Sequence, residues 1–234
     1  MWPQVFAKFT FVTIPFLLFL AVAFPLSAQQ FELQTAQKGE PVVDADGTQT
    51  FTLRPGFCSY KTYQSKRLLG EASDCSRKRT RVEFRELDAA SEGDMKAYSW
   101  EIFIPEDFSY SATGGHLIAG QFHNGSDLLF SFALGNDGYT VRSKPCVAPT
   151  EFGKWNTVDV RYKFDATKKK NFKDKTPGVL TVECNGVEVV NASGRPNLAQ
   201  GSKVYFKYGL YGAMDFPEND IVSVKYRNVR IEEW

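Results

Sequence analysis

The chain has 234 residues, 43% hydrophobic and 24% charged, which excludes wholesale disorder and a collagen-like fibre and leaves room for one large domain or two small ones. Lys and Arg number 28 against 27 Asp and Glu, so no overall charge draws the chain to nucleic acid or any other polyanion, and such attraction has to be local. Aromatics at 15%, with 18 Gly and 11 Pro, point to many short strands and turns and away from a helical bundle.

Residues 1–28 read as a secretory signal peptide. Lys8 is the only charge there, Phe9 to Phe24 is apolar apart from Thr10 and Thr13, and Pro25-Leu26-Ser27-Ala28 offers a small-residue cleavage site. The apolar run is shorter than the ~20 residues of a spanning helix. A secreted or periplasmic protein, free of the membrane once the signal is removed, is expected. Residues 29–48 are polar and turn-rich and read as an extended N-terminal arm, which leaves 49–234 as a single domain.

Four cysteines follow the signal: Cys58, Cys75, Cys146 and Cys184. An even count in an exported chain favours two disulfides, and of the three connectivities the one expected is Cys58 with Cys75 and Cys146 with Cys184. No Cys-x-x-Cys occurs and the chain has 2 His, so no zinc or other metal site is read. Asn124-Gly125-Ser126 and Asn191-Ala192-Ser193 fit the glycan acceptor pattern, which matters in a eukaryotic secretory pathway.

Period 2 dominates the rest. Tyr98, Trp100, Ile102 and Ile104 alternate with Ala97, Ser99, Glu101 and Phe103 until Pro105-Glu106-Asp107 stops the strand. Leu128, Phe130, Phe132 and Leu134 form a second apolar face, ended by Gly135-Asn136-Asp137-Gly138. Val158, Val160, Tyr162 and Phe164 form a third. Asn185-Gly186 is a two-residue hairpin turn, since a type I′ connection needs positive φ at both positions, and Val179 to Cys184 and Val187 to Val190 flank it. No sustained 3.6-residue stripe appears, so the expected fold is all-β: two packed antiparallel sheets, a sandwich or jelly roll.

Three segments carry chemistry on one side. In Arg81-Val82-Glu83-Phe84-Arg85 the alternation sets two arginines and a carboxylate opposite Val82 and Phe84. In Gln121-Phe122-His123 an amide and an imidazole share the side away from Phe122. Between Val204 and Tyr211, the set Tyr205, Lys207, Gly209 and Tyr211 opposes Val204, Phe206, Tyr208 and Leu210. If these strands share a sheet, their polar sides meet in one groove, with Glu83 fixing the arginines by ion pairing and Gly209 leaving room for a ligand. His116 has the opposite parity to His123 and reads as structural. The run Lys168, Lys169, Lys170, Lys173 and Lys175 reads as a solvated loop, with a groove-edge contact to an acidic polymer as the sharper alternative.

Such a groove suits β-elimination from a uronic acid. The proton next to a carboxylate is weakly acidic, so the carboxylate must be neutralised and the developing enolate stabilised by preorganised donors. Arg81, Arg85 and Gln121 suit that task; a neutral imidazole at His123 can accept the proton, and a phenol at Tyr211 can protonate the departing glycosidic oxygen.

Arg-x-Glu-x-Arg, Gln-x-His and Tyr-Phe-Lys-x-Gly-x-Tyr, in that order, resemble the signature strands of the jelly-roll polysaccharide lyases: alginate lyases, glucuronan lyases and heparin lyase I relatives. The likeness runs from about Arg81 to Ile231. It implies a concanavalin-like sandwich, Arg81, Glu83 and Arg85 as substrate-site residues, and Gln121 as carboxylate neutraliser. It implies His123 as base, Lys207 as a subsite contact with Tyr205 on the same face, and Tyr211 as the acid or as acid and base both. Gly212-Ala213 stands where alginate lyases continue with Asn-Gln, and Phe122 where they favour Ile or Val, which favours a glucuronan- or heparin-type substrate over alginate. Relatives can hold a structural calcium, but no Asp-x-Asp-type loop supports one here and no cofactor is expected. A monomer acting on an acidic polysaccharide follows. The rival readings are a catalytically silent carbohydrate-binding lectin on the same sandwich and a glycoside hydrolase, which needs two facing carboxyl groups where Glu83 is the one on the proposed face.

Overall fold

The computed structural model describes residues 30–35, 40–56, 74, 77–112, 117–165, 178–194, 197–198 and 201–234. The expected signal peptide, Cys58, Cys75, His116 and the lysine run at 168–175 lie outside them. The strands, in chain order, are β1 (Phe31–Thr35), β2 (Val42–Val43), β3 (Gln49–Thr52), β4 (Arg79–Glu86), β5 (Met95–Phe103), β6 (Leu117–His123) and β7 (Leu128–Gly135). They continue with β8 (Gly138–Val141), β9 (Lys144–Val147), β10 (Trp155–Lys163), β11 (Val179–Cys184), β12 (Val187–Asn191), β13 (Tyr205–Ala213) and β14 (Ser223–Glu233).

These strands form two seven-stranded sheets. The front sheet has the order β1-β4-β13-β6-β7-β8-β9, the back sheet β12-β11-β10-β5-β14-β3-β2, and the pairings are antiparallel. Non-consecutive strands lie side by side along β1-β4-β13-β6 and β10-β5-β14-β3, as in a jelly roll, and consecutive hairpin strands complete each sheet. The apolar faces anticipated from period 2 fill the space between the sheets: Tyr98, Trp100 and Ile102 from β5 and Val158, Val160 and Tyr162 from β10 are buried against Phe122, Phe132, Phe206 and Leu210 of the front sheet. Trp100 stacks on Phe206 at 5.0 Å, and Tyr98 meets Phe122 edge-on at 4.8 Å, so ring geometry as well as buried area holds the layers together.

Asn185 and Gly186 have φ of 51° and 76°, the left-handed pair that a type I′ hairpin requires between β11 and β12. Cys146 of β9 and Cys184 of β11 form the expected disulfide, which ties the front sheet to the back. Glu86 ends β4 pointing inward, where Lys96 of β5 donates to it at 2.7 Å and the Phe206 N–H at 2.8 Å; burial pushes its carboxyl above the usual range.

The arm expected at 29–48 needs correction. It is extended, but β1 pairs with β4 as the edge of the front sheet and β2 pairs with β3 in the back sheet. Phe31, Glu32, Leu33 and Gln34 alternate; Phe31 is buried and Leu33 rests on the core, so the segment's apolar pair joins the sandwich and its polar pair the outer face of the front sheet.

Candidate active site

Register decides which polar residues meet. β13 lies between β4 and β6, with Lys207 opposite Arg85 on one side and Gln121 on the other. Tyr205 is opposite His123, Gly209 opposite Glu83, and Tyr211 opposite Arg81. The three chemical segments therefore share the outer face of the front sheet. Tyr211 stands six residues along β13 from Tyr205, and the stretch between them contains a register shift against β6. Gly120 and Gly209, with φ of 154° and 123°, sit at this irregularity, and such a bulge bends the sheet between the His123 end and the Tyr211 end.

The polar set is layered. Arg81, Glu83, Gln121 and Lys207 are at most 5% exposed and form a floor, while His123, Tyr211 and Arg85 are partly exposed above it. The floor satisfies itself: Gln121 Nε2 donates to Glu83 Oε1 at 2.6 Å and Arg81 Nη1 donates to Glu83 Oε2 at 3.1 Å. Glu83 thus organises one arginine and an amide, and not both arginines as the Arg-x-Glu-x-Arg alternation suggested, because Arg85 turns to the neighbouring edge strand. Arg85 is held by Glu32 of β1 at 3.3 Å and lies over the Tyr205 ring at 4.1 Å, with Lys207 Nζ 5.5 Å from the same ring.

His123 accepts the Gly125 N–H at Nδ1, 2.8 Å away, and the Tyr205 hydroxyl lies 3.4 Å from the same atom. A neutral imidazole that accepts at Nδ1 carries its proton on Nε2, so the other nitrogen is a donor. Tyr211 lies under the Arg81 guanidinium, 4.4 Å from ring centroid to Cζ. Burial, and secondarily the charge of Asp74, raise its phenol above the ordinary value against the pull of Arg81, Arg77 and Arg79. It is therefore protonated at neutral pH.

Three contributors escape the motifs. Asp74 is fully buried and accepts from both Nε and Nη2 of Arg81. Glu32 anchors Arg85. Gln34, 1% exposed, lies opposite Glu83 with neither amide atom hydrogen-bonded. Glu32 and Gln34 were detectable from the alternation in Phe31 to Gln34; Asp74 belongs to no strand pattern and had no signal.

One expectation about a small residue changes. A Cβ on Gly209 would come 2.4 Å from the Val82 carbonyl and 2.8 Å from Phe51, so this glycine serves the approach of β4 and the core and not the approach of a ligand. A Cβ on Gly212 would come 2.8 Å from the Tyr110 hydroxyl, which accepts the Ala213 N–H, and 2.9 Å from Leu117, so Gly212 faces the core and serves packing there. Among the described residues no cluster of three or more His, Cys, Asp or Glu could hold a metal ion.

A family model described as polysaccharide lyase matches residues 32–229. The chain belongs to this polysaccharide lyase family. It is accordingly a carbon–oxygen lyase acting on polysaccharides. No curated protein matches the lyase at a significant level. Among solved structures it is similar to alginate lyase AlgAT5 of polysaccharide lyase family 7, at TM-score 0.62 and 15% identity over 89% of this chain and 96% of that one. It is also similar to the endo-β-1,4-glucuronan lyase of the fungus Trichoderma reesei, at TM-score 0.53 and 15% identity, covering 86% and 87%. A third is the family 7 alginate lyase A1-II′ in complex with product, at TM-score 0.58 and 14% identity, covering 89% and 96%. At these identities the likeness establishes that the lyase shares their jelly-roll fold.

Proposed function

We propose that this lyase cleaves a uronic-acid-containing polysaccharide by β-elimination, with a glucuronan- or heparin-type chain favoured over alginate, and that it acts outside the cytoplasm after export. The observation that carries the reading is the layered site: a buried network of Gln121, Glu83 and Arg81 beneath a partly exposed imidazole and phenol. Buried polar groups are costly unless paired, so a paired, preorganised donor floor under two titratable groups fits enolate stabilisation better than it fits a lectin surface. Gln121, Arg85 and Lys207 supply donors and positive charge for the uronate carboxylate. Tyr211, protonated at neutral pH, delivers its proton to the glycosidic oxygen as that bond breaks.

The proton next to the carboxylate goes to His123, which takes it at Nδ1 as the Gly125 N–H contact is released, because Tyr211 as a protonated phenol cannot accept it and deliver its own. At its other nitrogen the His123 ring presents Nε2–H, a donor suited to the substrate carboxylate. The polymer's path continues onto an open depression of about 440 Å³ beside Ser131, the cross-strand neighbour of Gln121, with Ala133, Thr140 and Arg142 among its lining residues.

Incubation with glucuronan, alginate and heparin-type chains is the test. A new unsaturated sugar raises ultraviolet absorbance and appears in the product mass spectrum, with glucuronan or heparin-type chains giving the higher rate. Absence of any unsaturated product across the panel overturns the proposal.

A further inference from the structure

Asp74 precedes β4 and belongs to none of the three motif strands, yet it is built into the site. Its backbone carbonyl accepts the Arg77 N–H at 3.0 Å, and its Oδ1 accepts from Arg77 Nη2 at 3.0 Å and from Arg81 Nη2 at 3.0 Å. Arg81 Nε donates to its other oxygen. Glu83 holds Arg81 at the remaining nitrogen, Nη1. One planar cation is thus gripped on two edges by two buried carboxylates, and a planar group fixed on two edges cannot turn about its stem. Its Cζ lies over the Tyr211 ring, 4.4 Å from the centroid. With Glu83 alone, the guanidinium would keep a hinge and the ring would lose a fixed neighbour. Asp74 is too deeply buried, and its oxygens too fully engaged, to touch a sugar itself.

We propose that Asp74 is a positioning residue of this lyase, holding Arg81 over the Tyr211 ring so that the phenol hydroxyl stands at a fixed point over the scissile bond. The inference rests on the reading of Tyr211 as the proton donor. It assigns Arg81 to orienting the acid, and leaves neutralisation of the uronate carboxylate to Gln121, Arg85 and Lys207.

The test uses the full chain and the polymer that wild type cleaves fastest, with kcat and KM expressed per folded protein. Asp74→Asn keeps the shape and removes the charge. It is expected to lower kcat about tenfold or more, because a small misplacement of a reacting group is costly, while KM stays within about twofold of wild type. In an Arg81→Lys background, Asp74→Asn is expected to add less than about twofold, since both changes break the same grip. A folded Asp74→Asn protein with wild-type kcat overturns the proposal, as does a change in KM alone or full additivity with Arg81→Lys. A purely structural Asp74 would lower the thermal midpoint and leave kcat per folded molecule untouched. Should Asp74→Asn not fold, Arg81→Lys carries the test: it keeps the charge but not the fork, so the same kcat loss supports the proposal and an unchanged kcat overturns it. Failure of wild type to act on any uronate polymer overturns the lyase reading itself and is seen before any variant is made, so the two failures are distinct.

Discussion

Strands β10 and β4 carry the same period-2 pattern, and their polar sides meet opposite fates. On β10 of the back sheet, Thr157, Asp159 and Arg161 are exposed, and Asp159 faces Glu183 directly across the ladder, so burial and that like charge push its carboxyl up. On β4 of the front sheet, Arg81 and Glu83 point just as surely away from the core, yet they are buried and engaged by Asp74 and Gln121. Outward-pointing charge is ordinary where water solvates it. Where the same side of a sheet is closed over and every charge is given a partner, the cost of burial has been offset by design of the site, and chemistry is the reason to look for.

The largest test of that contrast lies on the front face. Tyr211→Phe is expected to lower kcat on a uronate polymer about 10³-fold or more, since it removes the acid, while a binding titration with the same polymer stays near wild type. His123→Asn keeps a donor and cannot serve as a base. A loss matching that of Tyr211→Phe supports His123 as the base, whereas activity within about tenfold of wild type overturns that role.

Glu83→Ala and Asp159→Ala set the two strands against each other in urea denaturation. Loss of Glu83 leaves Arg81 Nη1 and Gln121 Nε2 without their acceptor, Asp74 still holding the rest of the guanidinium, and is expected to cost about 1–3 kcal/mol for each group left unpaired, whereas Asp159→Ala on the solvated face stays within about 0.5 kcal/mol. Opening the Cys146–Cys184 bridge, which links the sheets across 38 residues of chain, is expected to cost about 3–4 kcal/mol by Cys146→Ser with Cys184→Ser in the same assay.

The smallest effect at neutral pH is the one that alkali enlarges. Burial raises the phenols of Tyr98, Tyr139, Tyr162, Tyr208 and Tyr226 above their ordinary value of 10.0. A group whose neutral form the fold favours stabilises fully below its unfolded value, and that contribution fades as pH rises beyond it. The urea midpoint should therefore not be limited by these groups at pH 7–9 and should fall steadily above pH 10. A midpoint unchanged at pH 11 would show these phenols to be more solvated than their burial indicates.

How far the site was legible can be argued residue by residue. The strand parities around Val82, Phe122 and Phe206 were readable because a side-chain period of 2 leaves no choice of face once one face is apolar. The hairpin at Asn185-Gly186 was readable because few residue pairs accept two left-handed positions. The arm at 29–48 was misjudged because a five-residue edge strand gives too few alternations to outweigh its polar composition. Gly209 was misjudged because its spatial neighbours, Val82 and Phe51, are remote in sequence.

What the amino-acid order determined by itself is local and periodic: which segments extend, which side of each is polar, where the chain turns, and that Arg81, Glu83, Gln121, His123, Lys207 and Tyr211 lie on chemical sides. Tertiary structure decided which strands become neighbours, and hence that β13 runs between β4 and β6 with β1 beyond β4, that the floor is covered while its rim stays open, and that Asp74 reaches Arg81. The reason is that strand neighbours and the cover over a face are set by long-range pairing and burial, to which no single stretch of chain holds the key.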